Sequence, residues 1–196
     1  MGHITPLTRQ DLPQYEDLFQ LYERTMGFIP TSFFAMARRP EILDGFGQLI
    51  RAVWHTGTVD PGLNPMVALI ASYAAGCRYC QAHEAARLKM TGVPEDKIAA
   101  VWDFEYNEMF TDAERAALRL ARDAAQQPNA ATAEHFVELR RYYSEDEIVE
   151  IMAVIAAFGF LNRWNDTLAT DLEEFPADIA RRTLTGLEWN PGKHGG

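Results

Sequence analysis

Apolar residues recur at helical spacing through most of this chain, and clusters rich in Pro, Gly and Thr separate one such stretch from the next. In residues 41–55, for example, Ile42, Phe46 and Leu49 fall on one side of a helical projection. A half-buried strand would instead alternate apolar and polar residues. No credible alternating run occurs in the sequence. The pattern therefore predicts an all-α fold.

Local start and stop signals divide the chain into a series of predicted helices. Thr111 and Ser144 each stand three residues before a glutamate, the capping-box arrangement of a helix start. Pro65 suits the first position of an apolar helix that ends before Gly76. The predicted helices cover approximately residues 13–26, 32–36, 41–55, 65–75, 77–90, 94–103, 112–127, 133–142, 148–170 and 176–189, followed by a frayed end.

The length and composition are those of a globular domain. The 196 residues are 47% hydrophobic and 23% charged, which provides enough apolar material for a sizeable core. We expect a single all-helical domain over residues 1–196, with its thiol-bearing core at about 41–127. A weak internal similarity places residues 67–84 on residues 149–166, which leaves open two weakly similar helical units.

The net charge of −10 argues against nucleic acid as a partner, because no basic stripe offsets the acidic residues. The longest apolar stretch, residues 148–161, is interrupted by Glu150 and is too short to cross a bilayer. The first residues show no basic segment followed by an apolar run, so no secretory signal is expected. No Gly-rich phosphate loop occurs either. The sequence predicts a cytoplasmic protein that binds no nucleic acid, membrane or cofactor.

The two cysteines of the chain, Cys77 and Cys80, form a Cys-x-x-Cys pair at the start of a predicted helix. This placement brings two sulfurs within disulfide reach, and the helix dipole favours thiolate at the first of them. At about 100° per residue, Glu84 shares a helix face with both cysteines, and His83 lies on the other flank of Cys80. A dithiol peroxidase or reductase needs these parts: an attacking thiolate, a resolving thiol and a group that moves protons.

Two other interpretations of the cysteines remain open at this point. They can be buried apolar residues on an Ala-rich helix. They can also bind zinc with His83, although no further Cys or His is spaced to complete a tetrahedral set, so no metal is expected. The other histidines stand alone, and His3 and His194 fall in predicted frayed ends. The polar segment 162–166 is either a buried hydrogen-bonded group or a helix exit onto the surface.

The thiol segment 65–84, followed by residues 92–94 and 110–118, resembles the alkylhydroperoxidase D-like, carboxymuconolactone decarboxylase superfamily, and in particular its peroxidase-related branch. Residues 26–30, 39–43 and 162–166 resemble outer parts of the same proteins. The resemblance covers most of residues 20–175 and is most specific around the Cys-x-x-Cys pair.

This resemblance implies an all-helical fold, assembly into homo-oligomers such as dimers, trimers or hexamers, and peroxide reduction by the cysteine pair. By that pattern Cys80 attacks the peroxide and Cys77 resolves the oxidised product. The proton relay of the family uses a glutamate and a histidine at positions that are Pro65 and Glu84 here. Because proline cannot move a proton, we expect His83 or Glu84 to substitute, with weak or altered activity.

The leading hypothesis from the sequence is a dithiol antioxidant oxidoreductase. It would reduce a small hydroperoxide through Cys80, close a disulfide with Cys77 and be restored by an unidentified thiol reductant. A non-catalytic redox-sensing or interaction subunit is one alternative. A non-peroxidase enzyme that uses Glu84 or His83 as general base is the other.

Overall fold

All regular secondary structure in the described chain is helical. The structure is a computed structural model that describes residues 2–195, apart from the side chain of Leu187. These residues contain no strand, and no helix among them is both long and apolar enough to cross a membrane. The all-α prediction is confirmed. The helices are α1 (Glu16–Met26), α2 (Thr31–Met36), α3 (Pro40–His55), α4 (Leu63–Ala74), α5 (Arg78–Met90), α6 (Glu95–Ala99), α7 (Asp112–Ala124), α8 (Ala133–Leu139), α9 (Glu145–Leu168) and α10 (Glu174–Thr183).

Two helix starts follow the capping signals in the sequence. At α7, the Glu114 N–H donates to the Thr111 side chain at 3.2 Å, and the Thr111 N–H donates to the Glu114 carboxylate at 2.8 Å. Ser144 and Glu147 form the same reciprocal pair at α9, at 3.3 and 2.7 Å. The bonds satisfy N–H groups that have no partner within the helix. The two predicted capping boxes are therefore confirmed.

Three predicted boundaries differ from the structure. Helix α4 begins at Leu63, so Pro65 lies within the first turn and not at the first position, where the missing proline N–H is equally harmless. The last α-helix ends at Thr183, well before residue 189. The segment beyond residue 189 was predicted to be frayed, and this is wrong for residues 192–194, which form a 3-10 turn that packs against α5.

Helix α4 forms the centre of the core. Every residue from Leu63 to Ser72 is buried, and α4 packs against α5, α7 and α9. A helix that is apolar on all sides has to be surrounded by other elements to remove its surface from water. Helix α10 packs against α5 as well, so the thiol-bearing helix is held by contacts with both α4 and α10.

Two backbone turns set the start of α5 and the end of α9. Gly76 has a φ of +78°, a left-handed conformation that glycine adopts at little cost, and it separates α4 from α5. Ala169, the C-cap of α9, has a φ of +48°. The Thr170 N–H then donates back to the Asn165 carbonyl at 3.1 Å. With α5 packed on α9, these turns place the polar end of α9 beside the first turn of α5.

The two helical units suggested by the sequence follow different courses. The first is broken at Gly76 into α4 and α5, whereas α9 is one continuous helix. Val67 is fully buried, but Val149, its counterpart in the suggested alignment, is 66% exposed. The similarity is limited to helical content and apolar spacing.

Candidate thiol site

Cys77 and Cys80 are both free thiols, and both are buried. Cys77 is the N-cap residue of α5, and Cys80 lies in the first turn of that helix. Burial raises the pKa of the Cys80 thiol well above its usual value, and the neighbouring Cys77 and Glu84 side chains raise it further. Cys80 therefore rests as a thiol, and it becomes a nucleophile when another group takes its proton.

One polar group opposes this effect on Cys80. The Asn165 side-chain amide donates to the Cys80 sulfur at 3.6 Å, a contact that lowers the pKa of the thiol. The Thr170 hydroxyl donates to the amide oxygen of Asn165 at 3.1 Å, so the amide nitrogen is turned toward the sulfur. Asn162 and Asn165 are both buried, but the buried hydrogen-bonded interpretation of segment 162–166 holds for Asn165 only, because neither polar atom of the Asn162 side chain has a partner among the described residues.

Glu84 lies one turn beyond Cys80 on α5 and is almost fully buried. The Arg87 guanidinium approaches its carboxylate, with Nε 3.3 Å from Oε2 but not aligned as a hydrogen bond. Burial raises the pKa of Glu84, although the charges of Arg87 and His83 oppose the rise. Since the best general base has a pKa near the working pH, this carboxylate is suited to accept a thiol proton.

His83 is held by Glu173, which lies outside α5 and was not identified by the sequence analysis, and by aromatic neighbours. Its Nε2 lies 2.7 Å from a Glu173 oxygen, and its ring stacks on Tyr79 with centroids 4.3 Å apart. The second Glu173 oxygen accepts hydrogen bonds from the Tyr79 hydroxyl, at 2.8 Å, and from the Thr31 N–H. Phe28 packs edge-on against the His83 ring. His83 is thus bound to Glu173 through its Nε2.

Glu173 is a negatively charged partner for this histidine at neutral pH. Burial acts to raise its pKa, but the attraction of His83 and the hydrogen bonds from His83 and the Thr31 backbone lower it to about 2. Beside this pair lies a small surface pocket of about 20 Å³, room for roughly one water molecule. Met26, Phe28 and Met90 line it together with His83, so a larger molecule can enter only if these flexible or aromatic side chains move.

The second histidine at the site is His194, which the sequence analysis placed in a frayed end. That placement is wrong, because the residue is only 1% exposed. Its Nδ1 lies 2.9 Å from the Thr170 carbonyl oxygen, and its Nε2 lies 3.6 Å from Asp166 Oδ1. A ring nitrogen of His194, the Cys77 sulfur and an Asp166 oxygen are all within 4.8 Å of one another. Burial lowers the pKa of His194.

The C-terminal tail reaches this position through backbone contacts. Arg78 donates to the Asn190 carbonyl at 2.9 Å and to its side-chain oxygen, and the Leu172 N–H donates to the His194 carbonyl at 2.9 Å. Gly192 has a φ of +56°, and a Cβ there would lie 3.4 Å from the Arg78 side chain. The one sequence signal for this ordered turn was the run Asn190-Pro191-Gly192.

The thiol, imidazole and carboxylate of this tail contact are also donor types that a divalent metal accepts. Among the described residues they are the group close enough to meet at one ion. The Lys193 ammonium, however, already pairs with the other Asp166 oxygen at 2.7 Å. A cation in this position would have to compete with that lysine.

Comparison with known proteins supports the family suggested by these residues. The sequence profile described as the Carboxymuconolactone decarboxylase family matches residues 40–123. The crystal structure of the apo debrominase Bmp8 is 37% identical, covers 92% of this chain and 97% of its own, and has a TM-score of 0.85. A cysteine-to-alanine variant of Bmp8 in complex with 2,3,4-tribromopyrrole is 36% identical, covers 91% of this chain and 95% of its own, and has the same TM-score of 0.85.

A more distant structure shares the fold. It is an uncharacterised peroxidase-related protein from Ralstonia eutropha JMP134, described as an alkylhydroperoxidase AhpD core. The two sequences are 19% identical, the match covers 93% of this chain and 96% of that chain, and the TM-score is 0.79. No curated protein matches the sequence. Similarity to an enzyme over nine-tenths of the chain supports an enzymatic function in general. With that similarity and the profile match across the thiol region, the chain belongs to the carboxymuconolactone decarboxylase family.

Proposed function

We propose that this protein is a dithiol oxidoreductase that reduces a small hydroperoxide, with Cys80 as the attacking thiol and Cys77 as the resolving thiol. The observation that carries the proposal is the pair of free, adjacent thiols in the first turn of α5, with the Asn165 amide donating to the Cys80 sulfur. A hydrogen-bond donor on a sulfur stabilises the thiolate that the reaction needs.

In the first half of the reaction, the Cys80 proton passes to a base and the thiolate attacks one peroxide oxygen. The O–O bond breaks, the alcohol leaves with a proton, and Cys80 becomes a sulfenic acid. The buried Glu84 carboxylate, with its raised pKa, is the base that we assign to this step.

In the second half, the Cys77 sulfur attacks the Cys80 sulfur. The S–O bond breaks, and hydroxide leaves and takes up the Cys77 proton to form water. The peroxide has then gained two electrons, and the two thiols have lost two in forming the disulfide. An external thiol reductant returns both cysteines to the free state by thiol–disulfide exchange.

Peroxide consumption in stopped flow, with cumene hydroperoxide as the probe, tests this proposal. Because the chain has only two cysteines, thiol counting is unambiguous: one equivalent of peroxide should remove both thiols of the wild type. Cys77→Ser should stop at a sulfenic acid on Cys80, detected as a dimedone adduct, and Cys80→Ser should consume no peroxide. A Cys80→Ser variant as fast as the wild type would refute the assigned roles. Oxidation without turnover when a thiol reductant is present would favour the redox-sensing alternative.

A second candidate function is reductive debromination of an aromatic ring, favoured by the 36–37% identity to the debrominase Bmp8. The electron balance is the same. One thiolate takes the bromine, the ring carbanion takes a proton, and attack by the other thiol on the S–Br sulfur releases bromide and closes the disulfide. Incubation with 2,3,4-tribromopyrrole should then release one bromide for each disulfide formed. Bromide release without peroxide consumption would select this reaction over the first.

A further inference from the structure

The orientation of His194 is fixed by its backbone partner. A carbonyl oxygen can only accept a hydrogen bond, so the Nδ1 that lies 2.9 Å from the Thr170 carbonyl carries the ring proton. In the neutral ring this leaves a lone pair on Nε2. That nitrogen is buried and has no hydrogen-bond partner in the described part of the chain. Buried polar atoms are nearly always paired, so an exception of this kind needs an explanation.

The groups around His194 show which of them can donate a proton to its Nε2. Asp166 lies 3.6 Å away, but it is ion-paired with Lys193 and offers no proton. The Cys77 sulfur lies within 4.8 Å of a ring nitrogen of His194, and a thiol is a hydrogen-bond donor that an imidazole nitrogen can accept from. Cys77 is also the N-cap residue of α5, where the helix dipole stabilises a thiolate.

We propose that His194 is the proton acceptor for Cys77 when that thiol attacks the oxidised Cys80. The inference rests on the proposed dithiol function and adds a residue from the C-terminal tail to its machinery. The Cys77 proton moves to Nε2 as the S–S bond forms, and the imidazolium is stabilised by the adjacent Asp166 carboxylate. The proton then passes to the hydroxide that leaves Cys80, giving water. With bromide as the leaving group, the proton goes to solvent instead.

This role separates the two halves of the reaction. Glu84 lies beside Cys80 and serves the first attack, whereas His194 serves Cys77 and the disulfide closure. His83 is unavailable to either sulfur through its Nε2, because that nitrogen is bound to Glu173. Loss of the His194 base should therefore slow only the second half.

His194→Asn is the informative variant. The asparagine amide nitrogen occupies the branch of Nδ1 and can still donate to the Thr170 carbonyl, but nothing replaces Nε2. His55→Asn, at an exposed histidine on α3, is the matched control. Each reduced protein is mixed with one equivalent of cumene hydroperoxide, and peroxide loss and disulfide formation are followed separately. We expect unchanged peroxide loss and disulfide closure slowed about 100-fold in His194→Asn, with sulfenic acid accumulating, and no change in the control.

The pH dependence of closure gives a readout that a structural role would not change. Closure by the wild type should rise with pH as His194 loses its proton and level off once the ring is neutral, with a midpoint lower than that of an ordinary histidine because burial lowers the pKa of His194. The charged and titratable groups that face His194 are Asp166, Lys193, Cys77 and the ring of Tyr79. In His194→Asn the rate should instead keep rising with pH, because hydroxide has to remove the proton.

Three results would overturn the inference: closure as fast in His194→Asn as in the wild type, an unchanged pH profile, or stoichiometric zinc in the wild type that the variant loses. If the wild type consumes no peroxide, the hydroperoxide function fails, and the same comparison is made with diamide, which also needs a second thiol attack for closure. If His194→Asn does not fold, His194→Ala with added imidazole replaces it. Restored closure supports the role, and no restoration in a folded variant refutes it.

Discussion

Replacing Glu173 by Gln tests whether a buried charge holds His83 in place. The pKa of Glu173 falls from 4.5 to about 2 in the folded protein. Burial acts to raise this pKa, but the charge of His83 and the hydrogen bonds from His83 and the Thr31 N–H lower it by more. By linkage, a decrease of this size stabilises the folded state by about 3 kcal/mol at neutral pH. Glu173→Gln removes the charge but keeps an oxygen for Tyr79 and Thr31, so we expect a loss of about 2–3 kcal/mol. In a chain of this length that lowers Tm by roughly 4–12 °C.

The stabilisation should depend on pH in one direction only. A carboxyl group with a lowered pKa contributes its full stabilisation above the unfolded pKa of 4.5 and loses it as pH falls toward about 2. At pH 3.5 the contribution should be about 2 kcal/mol instead of about 3. Urea unfolding of wild type and Glu173→Gln at pH 7 and pH 3.5 measures the change.

Glu174→Gln is the control, because the Glu174 side chain is 78% exposed and its ion pair is with Arg181 at the surface. Its free energy of unfolding should stay within about 0.5 kcal/mol of the wild type. The reasoning about Glu173 fails if Glu173→Gln is as stable as this control at pH 7. It also fails if the difference from the wild type is the same at both pH values.

Three further substitutions test the backbone and the Cys80 environment. Gly76→Ala places a side chain at a φ of +78° and should cost about 1 kcal/mol in urea unfolding; no cost would mean that the turn relaxes. Asn165→Asp replaces the donor to the Cys80 sulfur by a negative charge, so the pKa of the thiol rises further. Peroxide consumption at pH 7 should then fall about tenfold for each unit by which that pKa rises, and an equal or faster rate in stopped flow would contradict this. Ser144→Ala removes the capping bond to Glu147 and should lower the free energy of unfolding by about 1 kcal/mol, and an unchanged value would show that the cap contributes little.

Features encoded locally were predictable from the sequence. The capping boxes at Thr111 and Ser144, the break at Gly76 and the thiol pair at the start of α5 each depend on residues within a few positions of one another. Short-range hydrogen bonds and backbone conformations of this kind are set by neighbouring residues and need no information about tertiary packing. Helical projection also placed Glu84 beside Cys80 correctly, since the geometry of one helix decides it.

Partners that come from distant parts of the chain were not predictable in the same way. The projection gave the face of His83, but the Glu173 that binds it arrives from just before α10. No local pattern marks Glu173 as special. His194 was assigned to a frayed end, yet Arg78 and Leu172 bind the tail backbone and the ring is buried.

Thr170 takes part in the surroundings of both thiols, through its side chain at Cys80 and through its backbone at Cys77. Its hydroxyl orients the Asn165 amide that donates to Cys80, an effect that requires a side chain with a donor. Its carbonyl orients His194 beside Cys77, an effect that any residue at this position could provide, because the acceptor belongs to the backbone. The Cys80 environment therefore depends on which side chains stand at positions 165 and 170. The Cys77 environment depends on the left-handed turn at Ala169, which sets the direction of the Thr170 carbonyl. That direction is determined by the fold and not by the identity of residue 170.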